Sequence, residues 1–522
     1  MRKEVIMVCL SLFSGMAAAA DRYVSPAGSA GNAGTQASPW SAAKAASSAQ
    51  AGDVVYFRGG TYTSPMVVSV NGTAAQPIIF REYPGETPVF DMTSVTPTSS
   101  NGSVIRLNNR SHVTIQGLTL QNMKTTSASV VVIGIEIEGS GSGVRLLGNT
   151  IHHIEQNNAT LGSFAPNGHG IAVYGTAATP ISNLIIDGNH IHSLRLGASE
   201  AVALNGNVTT FQVNNNVIHD CNNIGIDFMG FEGTNPNEEL DRARNGVCSG
   251  NTVYAIDSSF NPAYGGNFTT GGGSRAAAGI YVDGATNIII ERNVVHSCNY
   301  GVELASESED GGLADFITLR NNLLHHNQQA GLIMGGYAAD LGSAENCLIA
   351  NNTFFHNGTI DASGGQIQCQ FYVRNCTFKN NIVWSPAADT LMFSQIPDED
   401  GTSAQREFGT TNVFAYNLYF SSAGTPSFEV FHSGSVKTYS LATWQTSGVS
   451  GGDAGSSVGD PKFSEGLPNT SSPTTAYELS AQSPALNTGQ PGPAYQPGSG
   501  ERDLLGHSRV RGGRVDRGAD ER

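Results

Sequence analysis

The sequence predicts an all-β protein: a right-handed parallel β-helix with three strands per coil, an N-terminal cap and an irregular C-terminal closure. Glycine accounts for 63 of the 522 residues, and only 13% of residues are charged. An ordinary soluble domain has roughly 25% charged residues, and helix surfaces depend on Lys, Glu and Arg. Disorder is excluded because 39% of the residues are apolar and the charge density is low. The third observation is a short motif that recurs along the middle of the chain.

The first twenty residues predict an export signal. Arg2 and Lys3 give a positive start, an apolar run follows from Val5 to Met16, and Ala18-Ala19-Ala20 form a small-residue cleavage site. The apolar run is too short to span a bilayer. We therefore expect a mature chain that begins near Ala20, has no membrane span, and is secreted or periplasmic.

Residues 21–110 are interpreted as an N-terminal cap with the first coils. They contain Y-V-S-P, an Ala-rich helical stretch after Trp40, and A-G-D-V-V-Y-F-R-G-G-T-Y. A cap is expected because the open end of a β-helix would expose strand edges. Residues 21–62 resemble the N-terminal cap of secreted β-helix proteins in the pectate-lyase-like superfamily.

The repeats occupy residues 111–385 and are organised around a recurrent Asn. Apolar residues stand three positions before it and two positions after it, which predicts two short strands joined at a polar corner. Asn tolerates the left-handed backbone region, and its amide can bond to the next copy in a stack. The recurrent residues are Asn149, Asn189, Asn216, Asn251, Asn293, Asn322, Asn352 and Asn381.

A further strand of each coil has the form G-φ-x-φ-x-G, where φ is apolar. Examples are G-I-A-V-Y-G at 170–175, G-I-D-F-M-G at 225–230 and G-I-Y-V-D-G at 279–284. A single coil cannot bury its apolar side alone, so the coils must stack into one continuous core.

Five histidines share one column, three residues after the recurrent Asn. Aromatic residues replace them in other coils, so we interpret the column as a ladder of stacked rings and not as a metal site. Cys347 and Cys376 share a core column and are expected to be stacked thiols. The histidines are His152, His192, His219, His296 and His325.

Residues 386–522 are interpreted as C-terminal coils and a closing segment, because the repeat is lost and Ser, Gly and Pro become frequent. The sequence R-V-D-R-G-A-D-E at 514–521 resembles the tail of many exported bacterial β-helix proteins.

The candidate site lies on the G-φ-x-φ-x-G strands, whose third and fifth residues point outward. Three consecutive coils place Asp227, Asp283 and Glu303 on one outer face. Residues 231–278 form a long insertion that could wall a cleft beside them. The residues expected to bind substrate are Tyr281, Tyr174, Asn205, His169 and Glu200.

Stacked carboxylates suit glycosidic hydrolysis. One carboxylic acid protonates the leaving oxygen, and a second carboxylate acts as nucleophile or base. Neighbouring negative charges raise the pKa of the acid and keep it protonated. Asp227, Asp283 and Glu303 are therefore the catalytic candidates.

The pair G-I-Y-V-D-G and, about twenty residues later, Y-G-V-E-L-A-S resembles the pattern of β-helix glycoside hydrolases of the secreted β-xylosidase type. The resemblance implies that Asp283 is the nucleophile and Glu303 the acid/base.

The leading hypothesis is a secreted enzyme that hydrolyses a polysaccharide or oligosaccharide without a cofactor. One alternative is a polysaccharide lyase with Ca²⁺ held by Asp227, Asp283, Glu303 and Glu307, because Ca²⁺ prefers oxygen ligands. Another is a non-catalytic glycan-binding β-helix. A formal net charge of −16 argues against nucleic acid and against acidic polymers. The sequence leaves the oligomeric state open.

Overall fold

The computed structural model of the protein describes residues 19–99, 102–309, 311–387, 392–394, 402, 405, 407–490, 501–510 and 514–522. Almost all of the predicted export signal lies outside these residues. None of the helices in the described part of the chain has the length and hydrophobicity needed to cross a membrane.

The described chain winds through three long sheets, and the predicted β-helix is confirmed. Each coil gives a strand to sheet 1, then to sheet 2, and after a sharp corner to sheet 3. Among the named strands, every pairing is parallel except that of Phe428–His432 with Ser435–Tyr439. Such strands must come from successive coils, because parallel neighbours need a long crossover connection.

Sheet 1 consists of Met66–Val67, Ser103–Asn108, Val132–Glu138, Gly168–Gly175, Val202–Gly206, Ile226–Met229, Ala278–Asp283, Tyr300–Ala305, Ala330–Met334, Ile367–Cys369, Phe393–Ser394, Phe428–His432 and Ser435–Tyr439. Sheet 2 consists of Asp21–Val24, Val54–Phe57, Ile78–Glu82, Val113–Gln116, Gly141–Ser142, Arg145–Leu147, Ile181–Asp187, Val208–Asn214, Arg244–Ser249, Thr286–Glu291, Leu313–Asp315, Thr318–Arg320, Ser343–Glu345, Leu348–Ala350, Val373–Arg374, Thr377–Lys379 and Val413–Ala415. Sheet 3 consists of Gly60–Tyr62, Pro88–Asp91, Thr119–Gln121, Thr150–His152, His190–Leu194, Val217–Cys221, Thr252–Ile256, Val294–His296, Leu323–His325, Thr353–Phe355, Ile382–Ser385, Leu418–Ser421 and Ser457–Val458.

Regular structure outside these sheets is short. Lys124–Thr125 pairs with Glu155–Gln156 as a small separate sheet. Helix α1 (Ala42–Ser48) begins after Ser41, whose side chain accepts from the backbone N–H of Lys44. Helix α2 spans Leu441–Thr446. The 3₁₀ turns are Glu238–Leu240, Ser258–Phe260, Pro262–Tyr264 and Thr474–Tyr477.

The recurrent Asn residues form a buried hydrogen-bonded ladder. Each side-chain amide donates to the carbonyl oxygen of the Asn side chain in the next coil, at 2.9–3.1 Å. Asn417 adds a ninth member, bonded to Asn381 at 3.0 Å, in the region where the repeat was expected to be lost. The predicted ladder is confirmed and extends one coil further.

The left-handed backbone at this corner belongs to the residue before the ladder Asn. Gly188 has φ +67°, Asn215 +54° and Asn351 +57°, whereas no ladder Asn has positive φ. The expectation that the recurrent Asn itself takes this conformation is wrong. In each coil the ladder Asn pairs buried backbone and amide groups, while the residue before it makes the bend.

The predicted ring ladder is also confirmed. Ring centroids of His192 and His219 are 5.1 Å apart with an interplanar angle of 5°, and Tyr254 and His296 are 5.1 Å apart at 1°. The six cysteines of the described chain are buried and free, as expected for stacked thiols at Cys347 and Cys376.

The C-terminal segment consists of a part that fills the end of the core and a part that lies outside it. Trp444 of α2 is fully buried and packs against Phe428, Phe414 and Phe393 in the core of the last coils. The later chain turns back along the outside, where Phe463 and other residues cover the sheet 3 ladder. The closure is therefore made by α2, and residues 514–522 clamp the corners of earlier coils.

Candidate active site on sheet 1

The three predicted catalytic residues lie on three consecutive strands of sheet 1. Asp227 is paired with Tyr281, and Tyr281 is paired with Glu303. Asp227 and Glu303 thus share one column, two strand spacings or about 10 Å apart at their Cα atoms.

Asp283 occupies the neighbouring column of the same face. It lies between Met229 and Ala305 in the strand register. One strand spacing and two residues separate Asp283 from Asp227 on one side and from Glu303 on the other, which corresponds to about 8 Å between Cα atoms. Asp283 is therefore central to the group.

Loops cover this face, so the carboxylates are less accessible than outward positions of a bare sheet. Asp227 is 2% exposed, Tyr281 2% and Asp283 6%, while Glu303 is half-buried. The predicted single insertion 231–278 is wrong, because Arg244–Ser249 and Thr252–Ile256 are regular strands of sheets 2 and 3. The insertion is two loops. One follows the sheet 1 strand Ile226–Met229, and the other precedes the next sheet 1 strand, Ala278–Asp283.

The two loops bring further groups to opposite sides of the cleft. Glu232 lies in the loop that follows Ile226–Met229, and Tyr264 lies in the loop that precedes Ala278–Asp283. Burial raises the pKa of Tyr264, and the carboxylates of Glu307, Glu200 and Glu303 add to the effect. Tyr264 packs edge-on against the ring of Phe164 at 5.4 Å, which extends this wall toward the solvent.

Glu307 holds Asp283 in place. Its backbone N–H donates to Oδ1 of Asp283 at 2.8 Å. Its side chain accepts from the hydroxyl of Tyr281 at 3.4 Å. The loop that begins after Tyr300–Ala305 thus orients one catalytic candidate and adds a carboxylate beside it.

Burial and mutual repulsion raise the pKa values of these carboxyl groups. Burial, followed by the charge of Glu307, raises the pKa of Glu303 to about 8. Burial raises the pKa of Asp227 well above its ordinary value, and Glu200 and Asp283 raise it further. We call the set the acidic cleft; its carboxylates are Glu200, Asp227, Glu232, Asp283, Glu303 and Glu307.

Asp283 differs from Asp227 in its hydrogen bonding. Burial and the charges of Glu307 and Glu232 raise the pKa of Asp283, but the N–H of Glu307 acts in the opposite direction by stabilising the anion. Oδ1 of Asp227 is buried and has no hydrogen-bond partner. The N–H of Glu307 thus favours the anion of Asp283, while the pKa of Asp283 stays above its ordinary value.

No cation compensates the acidic cleft among the residues that the structure describes, because none of its carboxylates forms an ion pair with Lys or Arg. In the column of Asp227, Arg106 lies four strands away and pairs with Glu136 at 2.9 Å. The cleft therefore gathers carboxyl groups without a paired Lys or Arg.

His169, Tyr174 and Glu200 form a connected group at the side of the cleft. Burial lowers the pKa of His169 to about 4, so its ring is neutral. Nδ1 donates to the carbonyl oxygen of Glu200 at 3.0 Å, since a carbonyl can only accept. Nε2 must then accept the hydroxyl of Tyr174 at 2.8 Å. Burial raises the pKa of Glu200 to about 8.

Asn205 lies one strand from Tyr174 in the column of Asp283. Its amide donates to the sulfur of Met229 at 3.1 Å, and its Oδ1 is buried without a partner. All five predicted substrate-binding residues therefore lie on the face that carries the acidic cleft, and their roles stay predictions.

Sequence reasoning considered Glu232 only as part of the insertion that could wall a cleft, and Glu307 only as a Ca²⁺ ligand. Both lie in loops, where strand periodicity gives no direction for a side chain. The position of Glu307, four residues after Glu303 at the end of the same strand, is the signal that could have identified it.

The carboxylates do not form a compact ligand set for Ca²⁺. Across the described ranges, only Asp503, His507 and Asp520 bring three potential ligand atoms within 4.8 Å of one another. The carboxylates of the acidic cleft do not meet that spacing.

The fold and the outward acidic strip define a β-helix protein with a candidate site on sheet 1. The chain belongs to the right-handed β-helix family with pectate-lyase-like domains. The family described as Pel9A-like, right handed beta helix region matches residues 22–176, and the right handed beta helix region matches residues 240–341 and 278–440. The protein YwoF of Bacillus subtilis (strain 168) is 35% identical over 372 residues, which are 71% of this chain and 75% of YwoF.

Two further proteins are similar. Pectate lyase PEL9 of Emericella nidulans is 40% identical over 94 residues, which are 17% of this chain but only 23% of that enzyme. The crystal structure of the GH136 lacto-N-biosidase from Eubacterium ramulus aligns with 73% of this chain and 67% of its own, at 15% identity and a TM-score of 0.50. The likeness to the lacto-N-biosidase concerns the fold alone.

Proposed function

We propose that the protein is an exported carbohydrate-active enzyme that hydrolyses glycosidic bonds of a polysaccharide or oligosaccharide in the acidic cleft. The observation that carries the proposal is the position of Glu303 and Asp283 on neighbouring strands of one face, where burial raises the pKa of Glu303 to about 8 and the N–H of Glu307 donates to Oδ1 of Asp283. The names of pectate lyase PEL9 and lacto-N-biosidase, both proteins that act on glycans, support the class. The leader sequence supports export.

In the proposed reaction Glu303 donates its proton to the glycosidic oxygen as the bond to the anomeric carbon breaks. The carboxylate of Asp283 attacks that carbon and forms a glycosyl–enzyme ester. Glu303, now ionised, takes a proton from water, whose oxygen releases the sugar and restores both carboxyl groups. Asp227, with its unpartnered Oδ1, is available to a substrate hydroxyl.

The charge of the cleft supports a neutral substrate. Six carboxyl groups have no Lys or Arg partner in the described chain, and those of them that are ionised would repel a uronate. The aromatic rings of Tyr281 and Tyr264 offer apolar surface beside the carboxylates, and Tyr174 and Asn205 offer polar contacts. These features favour neutral sugar rings bound along sheet 1.

The test is incubation of the mature protein with neutral and uronic polysaccharides, with and without EDTA. We expect new reducing ends without the ultraviolet absorbance of an unsaturated uronate, and a product that first appears with the anomeric configuration of the substrate. Inversion at the anomeric carbon would contradict the role of Asp283 as nucleophile. Glycan binding without any product would support a non-catalytic β-helix instead.

A Ca²⁺-dependent polysaccharide lyase is the second candidate, and the similarity of residues 22–176 to the Pel9A-like family favours it. A lyase also needs a base to remove a proton from the uronate, and the acidic cleft has no Lys or Arg partner in the described chain. EDTA-sensitive formation of unsaturated product from a uronate polymer would establish the lyase and contradict hydrolysis.

A further inference from the structure

Three side chains near the C-terminus converge at a point remote from sheet 1. Asp503 and His507 lie in residues 501–510, and Asp520 lies in residues 514–522. One potential ligand atom from each lies within 4.8 Å of the other two. Nδ1 of His507 is 3.3 Å from Oδ2 of Asp503. Ligands about 2.1 Å from a tetrahedral metal lie about 3.4 Å from one another, so this spacing already suits a metal ion.

Asp520 supplies an independent reason to expect a cation. It is 7% exposed, and its Oδ1 is buried without a hydrogen-bond partner. A buried carboxylate oxygen without a partner is costly because it has lost water without gaining a hydrogen bond. A metal ion between Asp520, Asp503 and His507 would remove that cost.

Asp503 is held as a rigid ligand. It is fully buried; Oδ1 accepts the backbone N–H of His507 at 2.7 Å, and Oδ2 accepts that of Glu521 at 3.0 Å. Hydrogen bonds of this kind fix the orientation of metal-ligating carboxylates. His507 is half exposed, which leaves an entry path for the ion and room for water ligands.

We propose that Asp503, His507 and Asp520 bind a divalent first-row transition metal, with Zn²⁺ as the best match. One imidazole and two carboxylates suit Zn²⁺, whereas Ca²⁺ prefers an all-oxygen shell of six to eight ligands. Water completes the coordination.

The site would fasten the two parts of the C-terminal clamp. Residues 514–522 are tied to the coil corners: the amide of Asn351 donates to the carbonyl oxygen of Asp516 at 3.0 Å, and Gly518 N–H donates to that of Asn380 at 2.7 Å. A metal that links Asp520 to Asp503 would join residues 501–510 to this clamp. Its role is structural, and it acts independently of the acidic cleft.

The experiment uses the full mature chain, stripped with EDTA and dialysed, and titrated with Zn²⁺ in a calorimeter. We expect one tight site per chain, a visible absorption band when Co²⁺ replaces Zn²⁺, and a higher thermal midpoint with metal because ligand binds only the folded state. His507→Ala and Asp520→Asn should each weaken Zn²⁺ binding about 100-fold and abolish the thermal shift.

His432→Ala is the matched control, since His432 also pairs with a carboxylate, Glu407, at 2.5 Å in a different region. It should leave Zn²⁺ binding unchanged. Because His507 is half exposed, its loss should not prevent folding, which circular dichroism checks. Absence of a tight site in the parent protein, or equal Zn²⁺ binding by the parent and both tail variants, would overturn the proposal.

Discussion

The backbone N–H of Glu307 donates to Oδ1 of Asp283 at 2.8 Å, which joins the loop after one sheet 1 strand to the carboxylate on the preceding strand. The bond fixes one oxygen of Asp283 and leaves the other available. Because Tyr281 also reaches Glu307, at 3.4 Å, the loop and the two columns of the site are coupled. Displacement of this loop would therefore alter the position of the proposed nucleophile.

Replacement of either catalytic carboxylate should nearly abolish hydrolysis. Glu303→Gln removes the proton donor and Asp283→Asn removes the nucleophile, and each should lower kcat about 10²–10⁴-fold. Glu138→Gln is the control, because Glu138 lies in sheet 1 outside the acidic cleft and accepts from Asn108 at 3.0 Å. Reducing-end assays measure the effect; near-normal rates in both site variants would contradict the assignment.

The rate of hydrolysis should fall as pH rises through about 8. The pKa of Glu303 is raised to about 8 by burial and by Glu307, so its carboxyl is protonated at neutral pH and loses the acid function at higher pH. Aryl glycosides with acidic phenol leaving groups need no proton, and their alkaline limb should be flatter. Identical alkaline limbs for both substrate types would rule out Glu303 as the acid.

Glu303→Gln should make the protein more stable at alkaline pH. The ordinary pKa of Glu is 4.5; below it, both folded and unfolded chains hold the proton. Between about 4.5 and 8 only the folded chain retains the proton, so the unfolded state ionises first and the wild type loses stability as pH rises. Scanning calorimetry should show the advantage of the variant growing over this range, whereas a constant difference would contradict the raised pKa.

Loss of a ladder amide should destabilise the fold. Asn216→Ala would leave the side chain and backbone N–H of Asn189 and the carbonyl oxygen of Ile186 without their partners. Since each buried unpaired group costs about 1–3 kcal/mol, we expect a loss of about 3 kcal/mol or more in urea unfolding. Asn214→Ala, two residues earlier at the end of strand Val208–Asn214, should cost much less.

The corner glycine should tolerate Asn but not Val. Gly188 has φ +67°, and the nearest atom to an added Cβ would be 3.9 Å away, so only the backbone conformation opposes substitution. Gly188→Val should cost about 1–2 kcal/mol. Gly188→Asn should cost less, because Asn215 holds this conformation one coil later. Equal thermal midpoints for the two variants would contradict this account.

The features that the sequence predicts best are those that repeat by translation. The Asn corner and the His column recur with fixed neighbours, so their stacking follows from the alignment of the coils. The same register places Asp227, Tyr281 and Glu303 in one column. Periodicity says nothing about Glu232 and Glu307, because the path of a loop depends on its tertiary contacts.

The residue that takes the left-handed conformation at the corner was harder to predict, because adjacent corner residues can be of the same type. Asn351 and Asn352 are identical in type, yet only Asn351 has positive φ, and only Asn352 belongs to the ladder. The arrangement of the tail could not be predicted for a related reason. Trp444 and Phe463 are both large apolar residues, and nothing in the local pattern distinguishes the end of the core from the outer face of sheet 3.

The Asn ladder also separates the strands, which must stay constant, from the loops, which may vary during evolution. Each corner returns the chain to the same position in the stack. Successive ladder Asn residues may therefore be 27 or 42 residues apart while the next strand still pairs in register. Loops on either side of sheet 1 can therefore be lengthened or exchanged without change to the rungs. The corner makes the scaffold modular, and new specificities can arise by replacement of individual loops.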